Sequence, residues 1–235
     1  MSARFAELDW QQTPMGELTL RRRFDPVLEK DVFEVILGDE HLMSSHFTVA
    51  EIELAHLGLA VVGDAHEGGP GLDVLVGGLG LGYTARAVLE HERVRSLTVV
   101  EAIDVVVDWH ERLLLPVSTE LVGDPRTTLE VADFFALMRA DVVERTFDAV
   151  IVDIDHSTTH HLHPSHADLY TIDGIRRLRR HVRPGGSFAL WSDDPPHPDF
   201  VDVLEAVFDE VETHVVAFDN ALTGGESTNS VYVAR

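Results

Sequence analysis

The sequence predicts an α/β fold: a mostly parallel sheet with an antiparallel last strand, preceded by a small N-terminal β unit. Three patterns carry this prediction. From Leu72 onward, short apolar segments of strand length alternate with longer segments of helical spacing, as parallel strands joined by right-handed crossovers require. The first third instead alternates with period two between turn residues. Near the C-terminal end two strand-like segments follow each other with no helix between them, which makes the final pairing antiparallel.

In the first third, Gly16–Arg23 and Asp31–Leu37 read as strands, and Gly38-Asp39 turns the chain into His41–Met43. Thr48–Leu59 has helical apolar spacing, with Thr48 as N-cap and Glu51 three residues on, the pattern of a capping box. These elements make an expected first unit, residues 1–62, closed by the turn-rich Gly63–Gly71. The second unit, residues 72–235, has strands expected at Asp73–Val76, Ser96–Val100, Thr128–Val131, Ala149–Asp153 and Ser187–Trp191. Helices are expected at Tyr83–His91, Ala102–Leu115, Asp133–Arg139 and Tyr170–Val182. The arginine-rich end of the last complements the helix dipole, and Pro184-Gly185-Gly186 stops it. Asp199–Phe208 adds a helix, and Glu212–Phe218 and Ser230–Ala234 are the closing strands. In the segment between them, Thr223–Asn229 is too long for a tight hairpin turn, and the sequence does not decide whether its Gly224-Gly225 brings it over a site.

Composition limits the partners. Lys+Arg 18 against Asp+Glu 41 leaves a net charge of −23, whose average field repels nucleic-acid backbones and anionic membranes. A small neutral or cationic acceptor is the expected partner, with no nucleic acid and no membrane. The Arg176–Arg180 cluster has the spacing of a solvated helix face. Absence of cysteine excludes disulfides, thiolate metal sites and a cysteine nucleophile. Met1–Trp10 lacks a signal-peptide pattern, and the apolar runs Leu57–Gly63 and Val74–Gly82 are too short to span a bilayer, so a cytoplasmic protein is expected.

Val74–Thr84 is the most informative segment: a buried strand enters a loop with Gly78, Gly80 and Gly82 that opens a helix. The spacing G-x-G-x-G differs from the dinucleotide fingerprint G-x-G-x-x-G. Glu101 ends the next strand, where a carboxylate can accept both hydroxyls of a ribose, and Asp133 follows the third strand, where an adenine amino group can be read. In this order the three features resemble class I S-adenosylmethionine-dependent transferases, and the resemblance implies their Rossmann-like sheet. Trp109, Phe134 and Phe135 are candidates for the adenine slot or for plain core packing.

A narrower resemblance rests on the strand-rich start, Leu37-Gly38-Asp39, the glycine loop, Phe147–Asp153 and Leu169-Tyr170-Thr171. These residues resemble the spermidine synthase, or polyamine aminopropyltransferase, family. The resemblance implies transfer of an aminopropyl group from decarboxylated S-adenosylmethionine to putrescine, and a homodimer. Three positions depart from it. The acid of the family's glycine loop falls at Gly80, the second acid of its D-x-x-D falls at His156, and its tyrosine–histidine pair has no clear match in Ser45–Glu51. These departures place methyl transfer from S-adenosylmethionine ahead of aminopropyl transfer, with a non-catalytic nucleoside-binding protein as a further alternative.

Asp153 and Asp155 follow the fourth strand, and Asp193 and Asp194 the fifth, so four carboxylates are expected at one crevice. Their repulsion calls for a cation: a substrate ammonium, or a divalent metal as in metal-dependent O-methyltransferases; the ammonium is preferred and no metal is assigned. Alternatively, Asp193-Asp194-Pro195-Pro196 is a solvated turn. The run His156–His166 contains His156, His160, His161, His163 and His166, and reads as a lid rather than a zinc site. In the expected mechanism Gly78, Gly80, Gly82, Glu101 and Asp133 hold the donor. Asp153 positions donor or nucleophile, Asp155 or His156 takes the proton, and Asp193 and Asp194 hold the acceptor.

Overall fold

A computed structural model describes residues 5–63 and 71–235. Period-two alternation builds a four-stranded antiparallel sheet from β1 (Phe5–Thr13), β2 (Gly16–Asp25), β3 (Lys30–Leu37) and β4 (Glu40–Ser44), in the order β1-β2-β3-β4. Its inward face buries Leu18, Leu20, Val32 and Val35. β1 escapes a sequence reading because a register shift between Glu7 and Asp9 breaks its alternation, and as an edge strand it buries little.

Helix α1 (Val49–Ala60) packs on the large sheet. Gly58 brings it so close that a Cβ there would meet the Ala189 Cβ at 2.8 Å, and the Ser187 hydroxyl donates to the Gly58 carbonyl at 2.6 Å. Leu54, Ala55 and Leu59 of this helix also share one core with Leu18, Leu20 and Val35 of the small sheet. Thr48 precedes α1 without a side-chain capping bond, so the expected capping box does not form.

The large sheet alternates strand and helix: β5 (Leu72–Gly77), α2 (Tyr83–Leu89), β6 (Val94–Glu101), α3 (Asp104–Glu111), α4 (Ser118–Gly123), β7 (Thr127–Val131), α5 (Phe134–Arg139), β8 (Phe147–Val152), α6 (Ile172–Arg179), β9 (Val182–Ser192), α7 (Pro198–Glu205), β10 (Val211–Asn220) and β11 (Gly225–Ala234). Strand order is β10-β11-β9-β8-β5-β6-β7, and β11 runs antiparallel to both neighbours. The central strands β5 and β8 are covered on both faces and are apolar almost throughout.

Three local expectations change. The helix expected over Ala102–Leu115 breaks at Leu113, which takes φ +57°, and resumes as α4. Pro184-Gly185-Gly186 does not end a helix; α6 stops at Arg179 and these residues begin β9. β10 and β11 pair as far as Asn220 and Gly225, so their connection is a short turn, held by the Asn220 side chain on the amides of Leu222 and Thr223. No helix among the described residues is long and apolar enough to cross a membrane.

Candidate active site

A cavity of about 910 Å³ opens at the C-terminal ends of β5, β6, β8 and β9, roofed by β4 of the small sheet and by the β10–β11 hairpin. Its floor is the glycine loop. Gly78 has φ +92°, and any Cβ there would overlap the Asp153 carbonyl. Gly82 has φ +88°, and a Cβ would press on Leu121, Val117 and His110 at 2.6–2.8 Å. Glycine is therefore required twice, by φ and by close approach. His110, buried, donates from Nε2 to the Gly80 carbonyl at 2.9 Å and accepts at Nδ1 from the Ser118 hydroxyl at 3.1 Å, tying the loop to α3 and α4.

Glu101 ends β6 beneath this loop. Its carboxylate accepts from the amides of Leu79 at 3.0 Å and Ile103 at 2.9 Å. Burial pushes its pKa up, and these backbone donors work against that rise. The Gly80 amide stands 3.5 Å from the oxygen that Leu79 reaches, and the carboxylate lines the cavity. Asp133 caps α5 by accepting from the Ala136 amide at 3.0 Å, and Phe134 and Phe135 follow it in the cavity wall. His166 stacks on Phe135 at 3.7 Å. Trp109 is not part of this slot: it is fully buried and its indole N–H donates to Asp9 of β1 at 2.7 Å.

Asp153 leaves β8 with its carboxylate on the Thr84 hydroxyl at 2.6 Å. Burial raises its pKa against that hydrogen bond. Asp193, after β9, accepts from the Asn229 amide of the hairpin at 2.7 Å. The third acid is Glu51, from the first turn of α1, which the capping-box pattern had concealed. It makes no ion pair or side-chain hydrogen bond with another described residue, and burial together with Asp153 and Asp193 pushes its pKa up to about 8.

Of the four carboxylates expected at the mouth, the cavity therefore receives Asp153 and Asp193, and Glu51 joins them. Asp155 is turned away. It is buried and accepts from the Leu162 amide, His166 Nδ1 and the Tyr170 hydroxyl, each at 2.8 Å, so its work is to fold the histidine-rich segment. Asp194 sits in an exposed turn outside the cavity, its amide on the Ser192 hydroxyl. His156 does line the cavity, 3.7 Å from Glu40 of β4, across the mouth between the two sheets. His161 stacks on Tyr170 and His163 caps a short 3-10 turn at Pro164–His166, so the segment is a wall built on side-chain contacts. Among the described residues no three His, Asp or Glu side chains are grouped to hold a metal ion. The arginines of α6 are engaged locally, Arg177 on Asp168 at 3.0 Å and Arg179 on the Val182 carbonyl at 2.8 Å.

Residues 52–211 match the spermine/spermidine synthase domain. The chain belongs to that family. The spermidine synthase-like chain is 32% identical over 148 residues to polyamine aminopropyltransferase 2 of Pseudomonas aeruginosa, covering 60% of this chain and 41% of that protein. It is 33% identical over 113 residues to putrescine N-methyltransferase 2 of Nicotiana tabacum, covering 48% and 30%. It thus spans less than half the length of these curated relatives. Among solved structures, the spermidine synthase of Thermotoga maritima superposes with a TM-score of 0.71 at 18% identity, over 97% of this chain and 72% of that one. This likeness establishes the shared α/β fold with its small antiparallel sheet.

Proposed function

We propose that the cavity transfers an aminopropyl group from decarboxylated S-adenosylmethionine to a small polyamine such as putrescine. The observation that carries this reading is the charge of the lining. Glu51, Glu101, Asp133, Asp153 and Asp193 line the cavity, and among the described residues no lysine or arginine does. Ammonium groups of a donor tail and an acceptor find carboxylates there, whereas the carboxylate of intact S-adenosylmethionine would be buried without a cationic partner. In this reading the glycine loop and Glu101 hold the ribose side of the donor, and Asp133, Phe134 and Phe135 hold its adenine. Asp153 places the reacting amine, and Asp193 takes a further ammonium. The amine lone pair attacks the carbon beside the sulfonium, and the carbon–sulfur bond breaks with its electrons going to sulfur. Alignment and exclusion of water then carry most of the rate.

The departures at Gly80 and His156 had put methyl transfer first; the cavity charge and the aminopropyltransferase relatives support the reverse order. Methyl transfer to an amine stays as a second reading because of one contact. At Gly80, where the resemblance would put an acid for the donor amine, φ is +47° and a Cβ would meet the Met43 sulfur at 3.1 Å, so a larger side chain needs a strained backbone and a shift of Met43. Titration calorimetry separates the two. Decarboxylated donor should bind at least about tenfold more tightly than S-adenosylmethionine, one unpaired charge being worth a kcal/mol or more. Equal or reversed affinities would favour methyl transfer.

A further inference from the structure

Glu51 is a carboxyl group in the wall of the cavity, and no side chain among the described residues forms an ion pair with it. The capping bond that would explain a glutamate at this point of α1 is absent, and among the described residues no lysine or arginine pairs with it. The groups facing it are Asp153 at the end of β8, Asp193 after β9 and the Tyr83 phenol on α2. The strands β10 and β11, also packed against α1, bring uncharged Phe218, Asn220 and Asn229 to the same cavity. Asp153 and Asp193 each have a side-chain donor already, Thr84 and Asn229. Glu51 alone of the three has both oxygens uncommitted to another side chain.

We propose that Glu51 is a catalytic residue, the group that contacts the acceptor ammonium and takes its proton before transfer. The proposal rests on the amine-acceptor reading above. An aliphatic amine is protonated at neutral pH and has no lone pair for attack until one proton leaves. The ammonium passes one proton to the Glu51 carboxylate, and the amine lone pair then forms the carbon–nitrogen bond as the carbon–sulfur bond breaks. The product is a secondary ammonium, a neutral thioether and one proton on Glu51, which leaves to solvent. Two neighbouring acids and burial raise the proton affinity of Glu51 toward that of its partner, as efficient transfer requires.

The test joins kinetics to proton counting. In Glu51→Gln, kcat/KM at neutral pH should fall by about 10²-fold and lose the acid limb of its pH profile, with donor affinity unchanged. Glu51→Asp should keep the limb at reduced kcat, and Glu53→Gln, at a half-buried position of the same helix outside the cavity lining, should behave as wild type. Calorimetry of putrescine binding at pH 7, in buffers of different ionisation enthalpy, needs no turnover. It should detect proton release in the wild type that Glu51→Gln abolishes. Putrescine binding with undiminished release in Glu51→Gln, or a retained acid limb, overturns the role of Glu51 alone. Failure of putrescine and longer polyamines to bind the wild type overturns the amine reading, and this role with it.

Discussion

Glu101 and Glu51 show how two buried surroundings act differently on one residue type. Glu101 is buried, but backbone amides of the glycine loop and of Ile103 hold its charge in place. Replacing it with alanine removes a carboxylate from the donor site and frees those amides. Glu101→Ala should therefore weaken donor binding by about 10–100-fold in calorimetry, the loss of one or two hydrogen bonds to a charged group; unchanged affinity would remove Glu101 from the donor site. Among the described residues Glu51 has only its own backbone amide as such a donor, and its proton affinity rises on folding. A carboxyl whose pKa is raised in the native state contributes stability below its unfolded value, near 4.3, that is lost as pH climbs through the native value of about 8. Without ligand, Glu51→Gln should thus melt higher than wild type at pH 8 to 9, with the gap closing toward pH 5. A gap independent of pH would contradict the environment assigned to Glu51.

At the scale of elements, the opposite end of the sheet is held by a charge network. Arg183 of β9 donates to Asp148 of β8 at 2.7 Å and to Asp73 of β5 at 2.9 Å, and the Asp73 amide donates to Asp148 at 2.8 Å. Burial would raise the Asp73 pKa, but hydrogen bonds from Arg95, Ser96 and Arg183 outweigh it and bring it to about 2. Its stabilisation is present above pH 4 or so and is lost as pH falls toward 2. Arg183→Ala should cost about 2–3 kcal/mol in urea unfolding, discounted for the exposure of Arg183, and should begin acid unfolding at a higher pH. An unchanged acid midpoint would deny Arg183 this role. The same scale explains what the sequence made legible. The central strands and the glycine loop are legible because buried parallel strands are uniformly apolar and the loop demands glycine, and the strand pattern places Glu101 at the end of β6 and Asp133 after β7. β1 was hidden by its bulge, α4 by the break at Leu113, and Glu51 by a spacing that serves equally for a cap. Asp155 and Asp194 do not line the cavity: sequence position puts an acid at a strand end without saying which way its side chain turns.

For the whole molecule, the charge of −23 acts on folding and on capture in opposite directions. Self-repulsion opposes the compact state and is screened by salt, so the melting temperature should rise as ionic strength increases from 0.01 to 1 M. The same field draws a polyamine toward an acid-lined cavity, so KM for the acceptor should rise over that range. A KM independent of salt would mean that the field plays no part in binding the acceptor. The central claim is that this cavity joins an aminopropyl group to an amine. It is tested most directly by mass spectrometry of putrescine after incubation with the protein and each donor separately. The account predicts a new amine heavier by one aminopropyl group, formed with decarboxylated S-adenosylmethionine and dependent on Asp153. A methylated amine formed with S-adenosylmethionine, or unmodified putrescine with either donor, would contradict it.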